Sequence, residues 1–184
     1  VLGIHPWKAQ REIADAIGCG DRRVFVYAAH GVGKTHCLAS IVCWALSCWD
    51  PVPTIISSAP TFRQVRDQLW REIRTMWHSS QSLTARGECL TTSLKVDGGY
   101  AVGFSTDNPG RFQGIHAPRL LFIVDEANAF PESIWEAIDS CMTGRSAQTV
   151  AIGNPIVPYG RFYRGMSERG VTTMTIPASL HPNV

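Results

Sequence analysis

The fold is decided by the stretch Ala28-Ala29-His30-Gly31-Val32-Gly33-Lys34-Thr35, which directly follows the apolar run Val24-Phe25-Val26-Tyr27. Glycines at 31 and 33 allow successive backbone N–H groups to turn inward around phosphate oxygens. Lys34 would bring a cation to the β and γ phosphates, and Thr35 would offer its hydroxyl to Mg²⁺. The stretch therefore predicts a Walker A phosphate-binding loop, in which a nucleoside triphosphate is held by His30, Gly31, Val32, Gly33, Lys34 and Thr35.

The loop departs from the usual pattern G-x-x-x-x-G-K-[ST] at its first position, where the chain has Ala28 instead of glycine. An alanine is acceptable there if the backbone stays near β geometry. The long apolar segment at residues 37–46 is compatible with a helix, so the motif has the strand–loop–helix setting that phosphate binding requires. A plain glycine-rich turn is the alternative interpretation.

A second motif, of the Walker B kind, is formed by Leu120-Leu121-Phe122-Ile123-Val124-Asp125-Glu126. Five successive apolar residues are typical of a parallel strand that is covered on both faces. The two carboxylates fall at the carboxyl end of this strand, where open α/β sheets bind ligands. We expect Asp125 to hold Mg²⁺ directly or through water, and Glu126 to orient or deprotonate the water that attacks the γ-phosphate. The alternative is a strand that ends in solvated acids.

Length and composition indicate one α/β domain. With 184 residues, of which 45% are hydrophobic, the chain can bury one substantial core. Its net charge of +2 requires any nucleic-acid binding to come from a local patch. No apolar stretch reaches the ~20 residues of a membrane span and no signal-peptide pattern opens the chain, so the sequence predicts a soluble cytosolic protein. The six cysteines form no C-x-x-C pair and are expected to be reduced and mostly buried.

Expected strands and helices alternate along the chain, which is the pattern of a parallel sheet with helices on both faces. The expected helices span residues 7–17, 34–48, 61–77 and 131–141. The expected strands span residues 23–28, 54–58, 89–96, 100–105, 120–124 and 147–152. Residues 79–99 are weakly patterned, and Asp97-Gly98-Gly99 is expected to form a hairpin turn.

The helix expected at residues 61–77 is amphipathic. Its apolar face is formed by Phe62, Val65, Leu69, Ile73 and Met76. Its opposite face carries four arginines, Arg63, Arg66, Arg71 and Arg74. This arginine face is either an ordinary solvated surface or a patch that contacts DNA.

In their order along the chain, these motifs resemble the ATPase domain of the bacteriophage large terminase subunit, the motor that packages double-stranded DNA into a prohead. The resemblance covers nearly the whole chain, and its further segments are His5-Pro6-Trp7-Lys8-Ala9-Gln10-Arg11-Glu12-Ile13, Ala59-Pro60-Thr61-Phe62-Arg63-Gln64-Val65, Phe112-Gln113-Gly114, Asp125-Glu126-Ala127 and Gly153-Asn154-Pro155. It implies an α/β fold of the RecA-like P-loop NTPase class (ASCE type), with a mostly parallel central sheet and helices on both faces. It also implies ATP and Mg²⁺ as cofactors.

The resemblance further implies roles for individual residues. Gln10 would contact adenine, to which its amide offers a donor and an acceptor, or it is only an exposed helix residue. Asn154 would belong to the motif that couples the state of the γ-phosphate to movement, or it only forms the turn before Pro155. His30 stands where many terminases carry an arginine. Because an imidazole is mostly neutral at pH 7, this departure weakens the case for a charged sensor inside the loop.

Ring ATPases commonly take an arginine finger from the neighbouring subunit. Arg111, in a Gly/Pro-flanked loop shortly before the acidic strand, resembles such a residue, with a surface or DNA-contacting role as its alternative. Arg145 and Arg161 are weaker candidates in later loops.

The implied partners are double-stranded DNA, the portal protein and the small terminase subunit. The implied assembly is a homo-oligomeric ring on the prohead in the host bacterial cytoplasm, or a monomer in isolation. Large terminases also carry a nuclease domain after the ATPase domain. No second acidic cluster follows Asp125 and Glu126, so we expect one ATPase domain over residues 1–184 and no DNA cleavage.

Two rival functions remain open. A DEAD-like nucleic-acid helicase or remodelling ATPase also has an acidic motif that continues Asp-Glu-Ala, but it would need a second RecA-like lobe. A nucleotide-binding scaffold that does not hydrolyse ATP is the other rival. Glu126 argues against it, because a pure binder does not need a carboxylate beside the metal-binding aspartate.

Overall fold

The fold is that of a computed structural model, which describes residues 3–106, 109–112 and 114–180. Within these residues the chain forms one central sheet of eight strands. The strands are β1 (Arg23–Ala28), β2 (Thr54–Ala59), β3 (Gly87–Cys89), β4 (Ser93–Val96), β5 (Gly99–Ser105), β6 (Leu120–Asp125), β7 (Ala147–Gly153) and β8 (Thr172–Ile176). The helices are α1 (Lys8–Gly18), α2 (Lys34–Cys48), α3 (Phe62–Gln64), α4 (Trp70–Ser79), α5 (Gln81–Thr84), α6 (Glu132–Cys141) and α7 (Gly160–Arg164).

The sheet has the strand order β3-β4-β5-β2-β6-β7-β1-β8. All neighbours from β5 to β8 pair in parallel, and β3, β4 and β5 pair antiparallel. Side chains are buried along all of β6 and β7, as expected for central strands that are covered on both faces. One apolar core joins the sheet to α1, α2 and α4, and a second joins it to α6 and α7. The prediction of a mostly parallel sheet with helices on both faces is therefore confirmed.

The register aligns the ends of the three central strands. Tyr27 of β1 pairs with Gly153 of β7, and Asp125 of β6 pairs with Ile152 of β7. In the sheet, β7 therefore lies between β1, which leads into the phosphate loop, and β6, which carries the acidic residues. This places the segments that follow β1, β7 and β6 at one edge of the sheet.

The helix expected at residues 61–77 contains a π-helical turn, Val65–Leu69, between α3 and α4. A π turn adds one residue to the helical repeat and so shifts which positions face the core. Trp70 and Trp77 are buried, whereas Phe62, expected on the apolar face, is 45% exposed. Trp70 Nε1 donates to Ser57 Oγ at 2.9 Å, which satisfies the only polar atom of this buried side chain.

Residues 79–99 differ most from expectation. The single strand predicted at residues 89–96 is wrong, because the chain reverses between β3 and β4, where the Leu90 N–H donates to the Ser93 carbonyl at 2.7 Å. The predicted hairpin between β4 and β5 is present and pairs Val96 with Gly99. Helices α5 and α7 and the edge strand β8 were not expected.

Two further observations concern the composition. Cys37, Cys43 and Cys141 are buried, and burial raises the pKa of the Cys37 and Cys43 thiols to about 12. Cys19 and Cys48 are exposed, so the expectation of mostly buried cysteines holds for only part of the set, although all six are free thiols. No helix in the described part of the chain is long and apolar enough to cross a membrane.

Candidate active site

The phosphate-binding loop runs from the end of β1 to the start of α2. Ala28 is still in the strand and pairs with Ile176 of β8, so the alanine has the β geometry that its position requires. Gly31 and Gly33 both have a φ of 77°, a left-handed conformation that side chains with a Cβ rarely adopt. Gly33 is also the N-cap of α2. The two glycines therefore make the turn that brings the positive N-terminal end of a long helix to the loop.

Lys34 and Thr35 are the first two residues of α2. Lys34 Nζ donates to the Ala29 carbonyl at 3.2 Å, so the ammonium group lies within the curve of the loop. Thr35 Oγ1 donates to Asp125 Oδ2 at 3.3 Å. This hydrogen bond joins the two motifs, which are far apart in the sequence. Val32 is 3% exposed and packs in the core, so only its backbone is available to a ligand.

Asp125 is 2% exposed at the end of β6. Burial, and after it the nearby charge of Glu126, raises the pKa of this carboxyl to about 6. The Glu126 N–H, which donates to Oδ1 at 3.0 Å, the Thr35 hydroxyl and the Lys34 charge all oppose this increase. A hydroxyl and a carboxylate oxygen so close together are the hard oxygen donors that Mg²⁺ prefers. The pair therefore fits a magnesium ion.

Glu126 has φ 52° and ψ 46°, a left-handed backbone conformation that is uncommon for a residue other than glycine. The chain leaves β6 through this residue into the short 3-10 turn Ala127–Ala129, which the Ala129 N–H closes by donating to the Glu126 carbonyl at 3.0 Å. Asp125 stays buried while Glu126 lines an open cavity. Strained residues of this kind cluster at active sites and switch regions, so this conformation is a second, independent indication of function.

The cavity has a volume of about 530 Å³. The loop and the start of α2 contribute His30, Gly31, Gly33, Lys34, Thr35 and His36. Glu126 contributes the acidic group, and the helical segment after β2 contributes Gln68, Arg71 and Glu72. His36 Nδ1 lies 3.3 Å from Glu72 Oε2, which links α2 to α4 across the rim. Sequence reasoning assigned Arg71 to a solvated or DNA-facing surface and missed these three residues.

Gln10 lies beside the phosphate loop. Its Oε1 accepts from the Trp7 N–H at 3.4 Å, and its Nε2 donates to the Gly33 carbonyl at 3.4 Å. It also lines a mainly apolar groove of about 460 Å³ together with Ile4, Pro6 and Trp44. Gln10 thus connects the N-terminal segment to the phosphate loop, and it lies where the loop meets this apolar groove.

Asn154 directly follows β7, between the phosphate loop and the acidic strand. Its carbonyl accepts from the Ile156 N–H at 2.8 Å, so the residue does form a turn. The neighbouring Gly153 is buried against the acidic motif, because a Cβ there would lie 2.8 Å from Asn128 Oδ1 and 3.0 Å from the Ala127 nitrogen. The end of β7 therefore packs directly against the turn that follows Glu126.

None of the three arginine-finger candidates lines the cavity. Arg111 is exposed at the end of the 3-10 turn Pro109–Arg111, next to the buried Phe112. Arg145 is exposed just before β7, at the opposite edge of the sheet from the loop. Arg161 is paired with Glu168 at 2.6 Å and with Asp139 at 3.3 Å.

Gln113, in one of the segments that carried the resemblance, lies outside the described residues.

The chain is similar to phage terminase large subunits in sequence and in fold. No family model matches the chain. A curated relative, the probable terminase large subunit of Enterobacteria phage P7, is 25% identical over 173 residues, which cover 89% of this chain and 35% of that protein. The large terminase ATPase domain of Thermus phage P74-26 superposes with a TM-score of 0.76 at 17% identity, covering 95% of this chain and 82% of that one.

The chain has the fold of a phage large-terminase ATPase domain. The N-terminal domain of the DNA packaging ATPase of bacteriophage phi29 also superposes, with a TM-score of 0.62 at 11% identity, over 95% of this chain and 97% of that one. For the HK97 bacteriophage large terminase the TM-score is 0.70 at 15% identity, and the coverage is 94% and 39%. The chain spans about a third of the length of its curated relative, so it corresponds to one part of that protein.

Proposed function

We propose that this chain is the ATP-hydrolysing motor domain of a phage large terminase, which drives the packaging of double-stranded DNA into proheads. The observation that carries the proposal is the hydrogen bond between Thr35 and Asp125 at 3.3 Å, with Lys34 and Glu126 lining the same cavity. A phosphate loop, a metal-binding carboxylate and a second carboxylate within reach of the terminal phosphate are the parts that ATP hydrolysis requires. A large terminase with bound ADP is among the proteins that share the fold.

In this proposal the loop binds the phosphates through its backbone N–H groups, and Lys34 binds the β and γ oxygens. Thr35 and Asp125 would hold Mg²⁺, which would neutralise charge on the β and γ phosphates when bound. Glu126 would orient the attacking water and accept its proton. The left-handed backbone at Glu126 supports this division of roles, because it turns the second carboxylate into the cavity and leaves the first one buried.

Gln10 and Asn154 would act around this centre. Gln10 contacts the loop through the Gly33 carbonyl and faces a groove, so a purine base held in that groove could hydrogen-bond to its amide. Asn154 would sense the terminal phosphate from the end of β7. The close packing of Gly153 against Asn128 supports such coupling, because any displacement of the acidic turn would move the end of β7.

The proposed partners are double-stranded DNA, the portal protein and the small terminase subunit, with the motor acting as a ring at the prohead portal in the host cytoplasm. Arg111 would serve as the arginine finger toward the neighbouring subunit. Its exposure at the surface, beside the buried anchor Phe112, supports a role toward a neighbour better than a role inside its own site. Residues 1–184 would form one ATPase domain without nuclease activity.

The test is phosphate release by the purified chain with Mg²⁺ and ATP, measured with and without double-stranded DNA. We expect slow turnover by the chain, loss of nucleotide binding in Lys34→Ala, and retained binding without turnover in Glu126→Gln. Nucleotide binding with no turnover under any condition would instead favour a scaffold. Stimulation by single-stranded RNA or DNA but not by the duplex would favour the helicase-like alternative.

A further inference from the structure

Three arginines of the segment from α3 to α4, Arg66, Arg71 and Arg74, have different surroundings. Arg66 forms an ion pair with Asp67 at 2.6 Å. Arg74 donates to the Thr91 carbonyl and so ties the helix to the loop between β3 and β4. The guanidinium of Arg71 has no hydrogen-bond or ion-pair partner among the described residues, and Arg71 lines the cavity that Lys34 and Glu126 also line.

The position of Arg71 is set by the helix that carries it. Gln68 lies in the π turn and Arg71 and Glu72 lie in the first turn of α4, and all three line the same cavity. Trp70, the residue before Arg71, is fully buried and is fixed by its hydrogen bond to Ser57. The backbone of the neighbouring Arg71 is therefore held on an anchored helix, and Arg71 is one of the residues that line the cavity.

Two side chains that line the cavity, Lys34 and Arg71, carry a fixed positive charge. The phosphate-binding loop contains no arginine, and Lys34 is its one cation that does not depend on pH. Of the two glutamates in the cavity wall, Glu72 lies 3.3 Å from the His36 ring. Glu126 belongs to the proposed catalytic pair. Arg71 is thus the remaining fixed positive charge in the cavity, and it comes from a different element than Lys34.

We propose that Arg71 binds the terminal phosphate of the nucleoside triphosphate within its own subunit. This inference rests on the proposed ATPase function and adds a phosphate contact to it. A guanidinium can donate two parallel hydrogen bonds to phosphate oxygens, and its charge stabilises the charge that develops on the γ-phosphate during transfer. A diphosphate lacks the group that Arg71 would contact, so Arg71 would let the site distinguish ATP from ADP.

The test compares the affinities for ATP-γ-S and ADP, both with Mg²⁺, by titration calorimetry. We expect Arg71→Ala to weaken ATP-γ-S binding roughly 10- to 100-fold, the usual effect of losing a charge-assisted hydrogen bond, and to leave ADP binding unchanged. Arg71→Lys keeps the charge but loses the planar fork, so we expect a smaller loss. Arg169→Ala removes an exposed arginine in the turn before β8, at the opposite edge of the sheet, and is expected to leave both affinities unchanged.

The outcomes separate the inference from the proposed function. If the parent chain binds neither nucleotide, the proposed function fails and the inference fails with it. If the parent binds and hydrolyses ATP but Arg71→Ala keeps the same preference for the triphosphate, the inference alone is overturned. Equal weakening of both nucleotides also overturns it, because the contact would then not be to the terminal phosphate. Thermal melting checks the fold of each variant. Arg71 is exposed and its guanidinium has no hydrogen-bond or ion-pair partner in the described part of the chain, so it can be replaced without loss of packing.

Discussion

Replacing Asp125 by asparagine should make the metal-free, nucleotide-free protein more stable at neutral pH. In the folded chain, burial and the Glu126 charge raise the pKa of this carboxyl from its usual 3.8 to about 6. One pKa unit corresponds to about 1.36 kcal/mol, so ionised Asp125 lowers the free energy of unfolding by about 3 kcal/mol. Asparagine has nearly the same shape, its oxygen can accept from the Glu126 N–H, and its NH₂ can donate to the Thr35 hydroxyl.

The difference between the parent and Asp125→Asn should depend on pH in a defined direction. Because the pKa is higher in the folded state than in the unfolded state, the folded parent binds more protons between pH 3.8 and about 6. The parent therefore loses stability as the pH rises through this window, and the asparagine variant does not. Below pH 4 the two proteins should be equally stable, and above pH 6 the variant should be more stable by about 3 kcal/mol.

Urea unfolding, followed by tryptophan fluorescence in EDTA from pH 4 to pH 7, measures this difference. Asp15→Asn, which removes an exposed aspartate of α1, is the matched control and should stay within about 0.5 kcal/mol of the parent. With Mg²⁺ and ATP present the advantage of the variant should shrink, because the variant lacks the carboxylate that would bind Mg²⁺ and so gains less from the ligands. A variant that is less stable than the parent at pH 7 in EDTA, or a difference that does not change with pH, would refute this account of the buried carboxyl.

Four further outcomes are expected. Lys34→Ala should lose tight ATP binding, since each charge-assisted hydrogen bond to phosphate contributes roughly 1.5–3 kcal/mol; unchanged affinity in a filter-binding assay would contradict the loop assignment. Glu126→Gln should keep ATP bound while turnover falls about 10²- to 10⁴-fold, and turnover at the parent rate would move the catalytic base elsewhere. Gly153→Ala places a Cβ 2.8 Å from Asn128 Oδ1 and should lower the free energy of unfolding by about 1–3 kcal/mol, which urea titration measures. Arg111→Ala subunits mixed with Glu126→Gln subunits should regain ATPase activity in assembled rings, whereas full activity of Arg111→Ala rings alone would exclude this residue as the finger.

The parts of the fold that the sequence predicted well are those with a strong local pattern. The helix expected at residues 34–48 and the strand expected at residues 23–28 match α2 and β1. Both flank the glycine-containing phosphate loop, and both are largely apolar. The strands β6 and β7 were found within one residue, because strands that are buried on both faces are continuous apolar runs.

The parts that the sequence did not predict depend on contacts between distant segments. The three-residue strand β3 is too short to carry a periodic pattern and exists through its pairing with β4. The apolar spacing from Phe62 to Met76 fits an ordinary helix, so it does not reveal the π turn. Trp70 directly follows the π turn, and its buried hydrogen bond is to Ser57 of the distant strand β2.

The same distinction applies to the site. The loop residues and the two acidic residues could be predicted because each motif is contiguous and its role follows from its position at a strand end. Gln68, Arg71 and Glu72 line the same cavity, but no local pattern separates them from an ordinary polar helix face. Only the packing of α4 against α2, which brings Glu72 to within 3.3 Å of His36, shows on which side of the helix the loop lies.

Both acidic residues are held in unfavourable states in the absence of ligand, and they are unfavourable for different physical reasons. Asp125 is a carboxyl buried in the sheet beside another negative charge, and Glu126 has a backbone conformation that is strained for a residue with a side chain. The surrounding strand can tolerate both because β6 is fully buried between β2 and β7 and hydrogen-bonded on both sides. A divalent cation at Asp125 would remove the first cost, since it favours the ionised carboxyl. Ligand binding would therefore relieve an electrostatic penalty at the point where the acidic turn packs against the end of β7. The free energy gained on ligand binding would favour a shift of that turn. Because Gly153 packs against the turn, the end of β7 would move with it.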